Sequence, residues 1–177
     1  DYSRTQALNV LMHPSAPYKA ENSAENAASA SPFFKPEVIV KGKCRGPLIG
    51  GNLSLLAALA GTKFALGDLT GKILFIEEIG EPPYRVDRML TQLRQSANLR
   101  SLAGVALGVF DDTSASAGKT AQPVMDVLRD RLGDLGVPVA YGLSFGHIRD
   151  NMTLPYGIEA EFDADNLTLT FLEAAVS

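Results

Sequence analysis

The sequence predicts an α/β domain with a mixed, largely parallel sheet covered by helices and a C-terminal antiparallel hairpin. Two observations carry this. From about residue 37 onward, short apolar runs rich in β-branched residues alternate with longer runs of helical period. Strands joined by helices in this way form a sheet that is parallel where the helices cross over it. Near the C-terminus, apolar and polar residues alternate on both sides of an Asp-Asn turn, the pattern of a hairpin.

Residues 1–36 stand apart from this pattern. The run SAPYKAENSAENAASASPFFKP is rich in Ala, Ser, Asn and Pro and keeps no period, so it reads as an irregular arm or linker. The domain proper is 37–177. EVIVKGKCRGPLIGG reads as a short strand, a turn and a glycine-rich approach to a helix. NLSLLAALAG is that helix, capped by Asn52 and stopped at Gly61. KILFIEE is a strand. PPYRVDRMLTQLRQSA is a helix with Pro83 in its first turn and Val86, Met89, Leu90 and Leu93 on one face. GVALGVF is a fully apolar strand. AQPVMDVLRDRLGDLG is the next helix, with Val124, Val127, Leu128, Leu132 and Leu135 inward. VPVAYGLSFGH is a strand running into a glycine-bounded loop. In the hairpin, Ile158, Ala160 and Phe162 precede the turn at Asp165–Asn166, and Leu167, Leu169 and Phe171 follow it.

Of 177 residues 46% are hydrophobic, enough for one sizeable core in one domain. The net charge of -4 and the scattered basic residues leave no electrostatic footprint for nucleic acid. Cys44 is the single cysteine, which excludes an intrachain disulfide and a cysteine-built zinc site. No apolar run approaches the ~18 residues of a membrane span. The chain opens on Asp1 rather than Met, so it reads as a processed or truncated product whose start carries no signal for compartment. The cytoplasm is the expected location, with the periplasm as alternative.

In sheets of this class, chemistry gathers beyond the carboxyl ends of the strands. Three polar groups fall there: Glu77 and Glu78, then Phe110-Asp111-Asp112, then His147. The pleat of a strand sends Glu77 and Glu78 to opposite faces. Glu81 reads as an acid at a helix start, complementing the helix dipole. Glu81–Arg85 and Asp87–Arg88 are candidate surface ion pairs. A histidine after an apolar strand is commonly a hydrogen-bonded loop residue. With a carboxylate on one ring nitrogen, the other nitrogen can act as a base. Glu77 and His147 form such a candidate pair. Serine candidates for a nucleophile are Ser3, Ser54, Ser101, Ser114, Ser116 and Ser144, none within a G-x-S-x-G elbow. There is no H-E-x-x-H and no other metal-ligand pattern, so neither a metal nor a cofactor is expected.

The stretches GPLIGGNLSLLAALAGT, GKILFIEEIGEPPYRVDRMLTQLR and GLSFGH…DNMTLPYG, in this order, resemble the C-terminal domain of the LD-carboxypeptidases. That family of serine peptidases, S66, includes the microcin C self-immunity hydrolases. The resemblance runs from about Gly42 to Leu172. It implies a Ser–Glu–His triad in which Glu77 is the first acid after the apolar strand and His147 closes G-L-x-F-G-H. It places the nucleophile on a separate N-terminal domain, at an elbow of the form G-[YF]-S-D-x-T-A-L. The opening DYSRTQAL echoes that elbow through Tyr2-Ser3, Thr5 and Ala7-Leu8, with Asp1 and Arg4 departing from it, and makes Ser3 the candidate nucleophile. Residues 1–36 are then a remnant of the nucleophile domain. The implied reaction is release of the terminal D-Ala from a murein tetrapeptide. Arg45, Arg85 and Arg149 are candidates to meet the substrate carboxylate. A homodimer is expected. The alternatives are a catalytically inactive domain that binds such peptides or serves assembly, and a generic α/β domain with solvated rim acids.

Overall fold

The structure, a computed structural model, describes residues 1–111 and 122–176. The chain begins with α1 (Tyr2–Ala7), a π-helical turn (Leu8–Met12), β1 (Tyr18–Ala20), α2 (Ala24–Ala27) and a 3-10 turn (Pro32–Phe34). It continues with β2 (Glu37–Val40), β3 (Lys43–Asn52), α3 (Leu53–Leu59), β4 (Ile73–Ile79), α4 (Pro83–Ser96) and a second 3-10 turn (Leu99–Ser101). It ends with β5 (Gly104–Asp111), α5 (Gln122–Leu132), β6 (Val139–Tyr141), β7 (Glu159–Asp163) and β8 (Thr168–Phe171).

One eight-stranded sheet runs in the order β1-β8-β7-β3-β4-β5-β6-β2. The central strands β3, β4, β5 and β6 are parallel, and the pairings that flank them are antiparallel. The mixed α/β architecture expected from the sequence is the one observed. Its parallel part is the centre, where the helical crossovers are.

The sheet has a core on each face. Leu74, Ile76, Val105 and Leu107 point toward α3, α4 and α5, which bury Leu53, Leu56, Leu90, Leu93, Leu128 and Leu132 against them. The helices therefore cover this face with the sides that the helical period marks. Ile73, Ala106, Ala140 and Phe162 point to the other face, which is covered by Phe145, Met152 and parts of the N-terminal arm.

Three local expectations are corrected. First, Lys43–Asn52 is a ten-residue strand rather than a turn and a glycine-rich approach. Its glycines obscure it in the sequence, yet packing demands two of them. A Cβ on Gly46 would stand 1.9 Å from the Gly71 carbonyl oxygen, and one on Gly50 would stand 1.8 Å from that of Phe75. Glycine within a strand marks such a close approach. EVIV, by contrast, goes to the far edge and pairs antiparallel with β6. Second, the arm is not irregular. β1 adds to β8, Val10 and Ala20 are buried in the second core, and Phe33 packs with Val109. Burial of such side chains contributes about 1.5–3 kcal/mol for each large one, enough to order a segment with weak local preferences. Third, Asp87 pairs with Arg131 on α5 at 2.6 Å and not with its neighbour Arg88. Adjacent helical residues diverge by about 100°, so consecutive positions do not face each other. Glu81 and Arg85 do pair, at 3.2 Å.

Candidate active site

β4 delivers both acids to the rim. Ile73 and Phe75 belong to the second face, so Glu77 follows them there, and Glu78 follows Leu74 and Ile76 to the helical face. Glu78 is fully engaged at the start of α3. Its Oε2 accepts the Ser54 amide at 2.7 Å, and its Oε1 accepts Asn52 Nδ2 at 3.0 Å and the Ile79 amide at 2.9 Å. Asn52 in turn caps α3 through the Leu55 amide.

Glu77 Oε2 lies 2.8 Å from His147 Nδ1. An ionised carboxylate only accepts, so in a pairing of that form with a neutral ring Nδ1 would carry the proton of this bond and Nε2 the lone pair. The Glu77 side chain is 11% exposed and that of His147 is 53% exposed. The carboxylate is thus sheltered while the ring faces outward. Among the described residues, Nε2 has no partner.

Two backbone features bring the histidine here. The ladder between β4 and β5 shifts between Ile76 and Glu78, so Gly108 and Val109 of β5 stand opposite Glu77 alone. Such a bulge bends a strand and re-aims what lies beside it. The loop after β6 then crosses close above it. The Val109 amide donates to the Phe145 carbonyl at 3.0 Å, and a Cβ on Gly108 would stand 2.3 Å from that oxygen. The next residue, Gly146, has φ +124° and lies against Glu77, where an added Cβ would be 3.0 Å from Oε2. Asn151 Oδ1 accepts the Gly146 amide at 3.1 Å, and the Met152 amide donates to the Ser144 carbonyl at 2.6 Å.

The other candidates are distributed unevenly. Ser3 lies on α1 beside the same loop. Its Oγ donates to the Arg149 carbonyl at 2.9 Å and accepts the Asn151 amide at 2.8 Å, and no hydrogen bond joins it to His147. Arg149 lines a cleft of about 510 Å³ with Ser3, Tyr2 and Asp150, and among the described residues its guanidinium has no ion-pair partner. Arg85 is paired with Glu81 and lies beside the ring of Tyr84. Arg45 pairs with Glu159 at 3.0 Å. It stands seven positions before Asn52 on β3, roughly 23 Å from the rim, and is not brought to the site. Asp112, Ser114 and Ser116 lie outside the described residues. Among the described residues, no three His, Cys, Asp or Glu side chains gather as a metal would require. Sequence reasoning missed Asn151, Ser23 and Asp150. Asp150 and Asn151 were visible only as letters in DNMTLPYG, and Ser23 carried no signal because its partners are distant in sequence.

Residues 45–162 match the family model described as the LD-carboxypeptidase C-terminal domain. This chain belongs to the LD-carboxypeptidase family. A relative from Synechocystis sp. that carries a carboxypeptidase name is 49% identical over 132 residues, covering 75% of this chain and 44% of its own. The murein tetrapeptide carboxypeptidase of Pseudomonas aeruginosa is 36% identical over 127 residues, covering 72% of this chain and 41% of its own. The crystal structure of muramoyltetrapeptide carboxypeptidase from Oxalobacter formigenes superposes with a TM-score of 0.64 at 34% identity, covering 84% of this chain and 53% of its own. The chain spans less than half the length of the curated LD-carboxypeptidase relatives it matches.

Proposed function

We propose that this chain is the C-terminal part of a serine hydrolase that cleaves the amide between an L-centre and a terminal D-amino acid, releasing the terminal D-Ala of a murein tetrapeptide in cell-wall recycling. The observation that carries the reading is the 2.8 Å bond from His147 Nδ1 to the sheltered Glu77 carboxylate, with the ring half exposed at the strand rim. The names of the Pseudomonas and Oxalobacter relatives support the substrate class.

In this reading a serine oxygen attacks the amide carbon while its proton passes to His147 Nε2. Glu77 stabilises the imidazolium that forms and keeps the ring oriented. Backbone amides hold the oxyanion. The proton then moves from Nε2 to the leaving amine as the C–N bond breaks, leaving an acyl-serine. Water, deprotonated by His147, hydrolyses the ester and the serine recovers its proton. Ser3 is the nucleophile candidate. Arg149 is the favoured partner for the substrate carboxylate, because it borders the cleft beside Ser3 and, among the described residues, forms no ion pair with the Asp1, Glu25 and Asp150 side chains that share that cleft. In this reading the oxyanion donors and the strand behind the nucleophile lie in the separate N-terminal domain that the family resemblance implies.

The 177-residue chain alone is therefore expected not to release D-Ala from a murein tetrapeptide at an enzymatic rate. The Ser3 hydroxyl is bonded to the loop backbone, and near-attack geometry is worth roughly 7–11 kcal/mol of barrier. Joined to such an N-terminal portion, in cis or in trans, the protein is expected to turn over. Glu77→Gln or His147→Ala should then lower kcat by about 10²–10⁴-fold. Full activity in both variants would overturn the Glu77–His147 assignment. Robust turnover by the isolated chain that Ser3→Ala removes would overturn the two-part reading. The proposal includes a homodimer, for which the exposed Leu55 and Leu59 on one side of α3 offer an apolar surface, and sedimentation of the joined protein reads that state directly.

A further inference from the structure

The loop that carries His147 is tied to the arm by a buried polar cluster. The Ser23 hydroxyl donates to Asp150 Oδ2 at 2.5 Å, and the Ser23 amide donates to Ser144 Oγ at 2.9 Å. The Ser144 amide donates to Asn22 Oδ1 at 2.9 Å, and Asn26 Nδ2 donates to the Asp150 carbonyl at 2.8 Å. Ser23, Ser144 and Asp150 are 3%, 1% and 7% exposed. At that depth a lost partner leaves a desolvated polar group unpaired, so each bond restricts the loop more than a surface bond would.

Position gives the cluster its meaning. Ser144 and Asp150 stand on either side of His147, three residues away in each direction. Between Gly142 and Gly157 the chain has neither helix nor strand. The loop's shape is therefore set by single bonds, some from its backbone to β5 and within the loop and others from side chains of this kind. Just past Asp150, Asn151 fixes Gly146 inside the bracket, and Gly146 lies against Glu77. Among the described residues, no hydrogen bond or ion pair joins Ser23 or Asp150 to His147 itself.

We propose that Ser23 and Asp150 are positioning residues for His147: the arm locks the histidine loop from behind and so holds the Nδ1–Glu77 bond. The consequence for turnover rests on the hydrolase reading above, whereas the geometric consequence does not. The chain has two histidines, His13 and His147, so imidazole ¹H–¹⁵N spectra resolve the site without any activity, with His147→Ala as the assignment. In the parent chain a single Nδ1–H tautomer is expected for His147. In Ser23→Ala and Asp150→Ala the His147 signals should broaden and the Nδ1 proton should exchange with water about tenfold faster or more. Ser23→Thr and Asp150→Asn, which keep a hydroxyl facing an acceptor oxygen, should restore the parent spectrum. In the joined protein Ser23→Ala should lower kcat by about 10–100-fold with KM within about twofold, since misplacement by about an ångström has that effect on rate. Asn26→Ala removes a bond from a half-buried position, and should give the same spectral change in smaller measure if Ser23→Ala fails to fold. A folded Ser23→Ala or Asn26→Ala with an unchanged His147 signal would overturn the lock. A loosened histidine in a joined protein that hydrolyses nothing would overturn the hydrolase reading and leave the lock standing.

Discussion

Gly146 is where the meeting of Glu77 and His147 is decided at the scale of single residues. Its φ of +124° is a conformation that side chains disfavour, and its Cα faces the Glu77 carboxylate. Gly146→Ala should therefore strain the backbone by about 1–3 kcal/mol and press a methyl group on Oε2. A urea midpoint lowered to match, together with a shifted His147 imidazole signal, is the expected outcome. A variant with the parent's midpoint and spectrum would show that the approach is not tight. The division of labour between Glu77 and Glu78 was legible from the pleat alone, because successive side chains of a strand point to opposite faces. What each acid bonds was not legible, since Ser54, Asn52 and His147 come to them through other elements.

At the scale of elements, the two long helices were plain in the sequence and β3 was not. Val86, Met89, Leu90 and Leu93 repeat at helical spacing and are all buried. The glycines of β3 lower every local preference for a strand, yet at Gly46 and Gly50 neighbouring backbone comes within reach of where a Cβ would be. The junction between α4 and the turn after α5 was equally hidden. Arg94 of α4 donates to both oxygens of Asp134 and also to the Arg131 carbonyl, and Arg100 adds a second guanidinium at 2.8 Å. The Arg94 hydrogen bonds, against a smaller opposing effect of burial, hold the Asp134 carboxyl down at about 2. A depressed carboxyl contributes stability that is present above its unfolded value of about 3.9 and lost as pH falls through the folded value. Asp134→Asn should lower the melting temperature slightly at pH 6, with the gap to the parent closing between about pH 4 and pH 2. Added salt should shrink that gap, because these groups are exposed. A gap that widens on acidification would contradict the assignment.

At the scale of the whole molecule, the arm is part of the fold. It adds β1 beside β8, buries Val10 and Ala20, and sends Ser23 to the histidine loop. A chain reduced to residues 37–177 should expose the second core, bind a hydrophobic dye and lose a substantial part of its urea midpoint. A cooperative transition at the parent's midpoint would make the arm an appendage after all.

The sequence by itself determined the α/β class, the helical faces, the C-terminal hairpin and the family, because these rest on local period and on motifs contiguous in the chain. It also marked Glu77 and His147 as a pair worth testing, through strand ends that share a rim. Only the tertiary structure decided that they lie 2.8 Å apart, that Arg45 is remote while Arg149 borders the cleft, and that the arm is folded onto the domain. Each of these depends on contacts between residues far apart along the chain. Ser23 and Asp150, separated by 127 positions, meet only once the sheet has brought the arm and the loop to the same face.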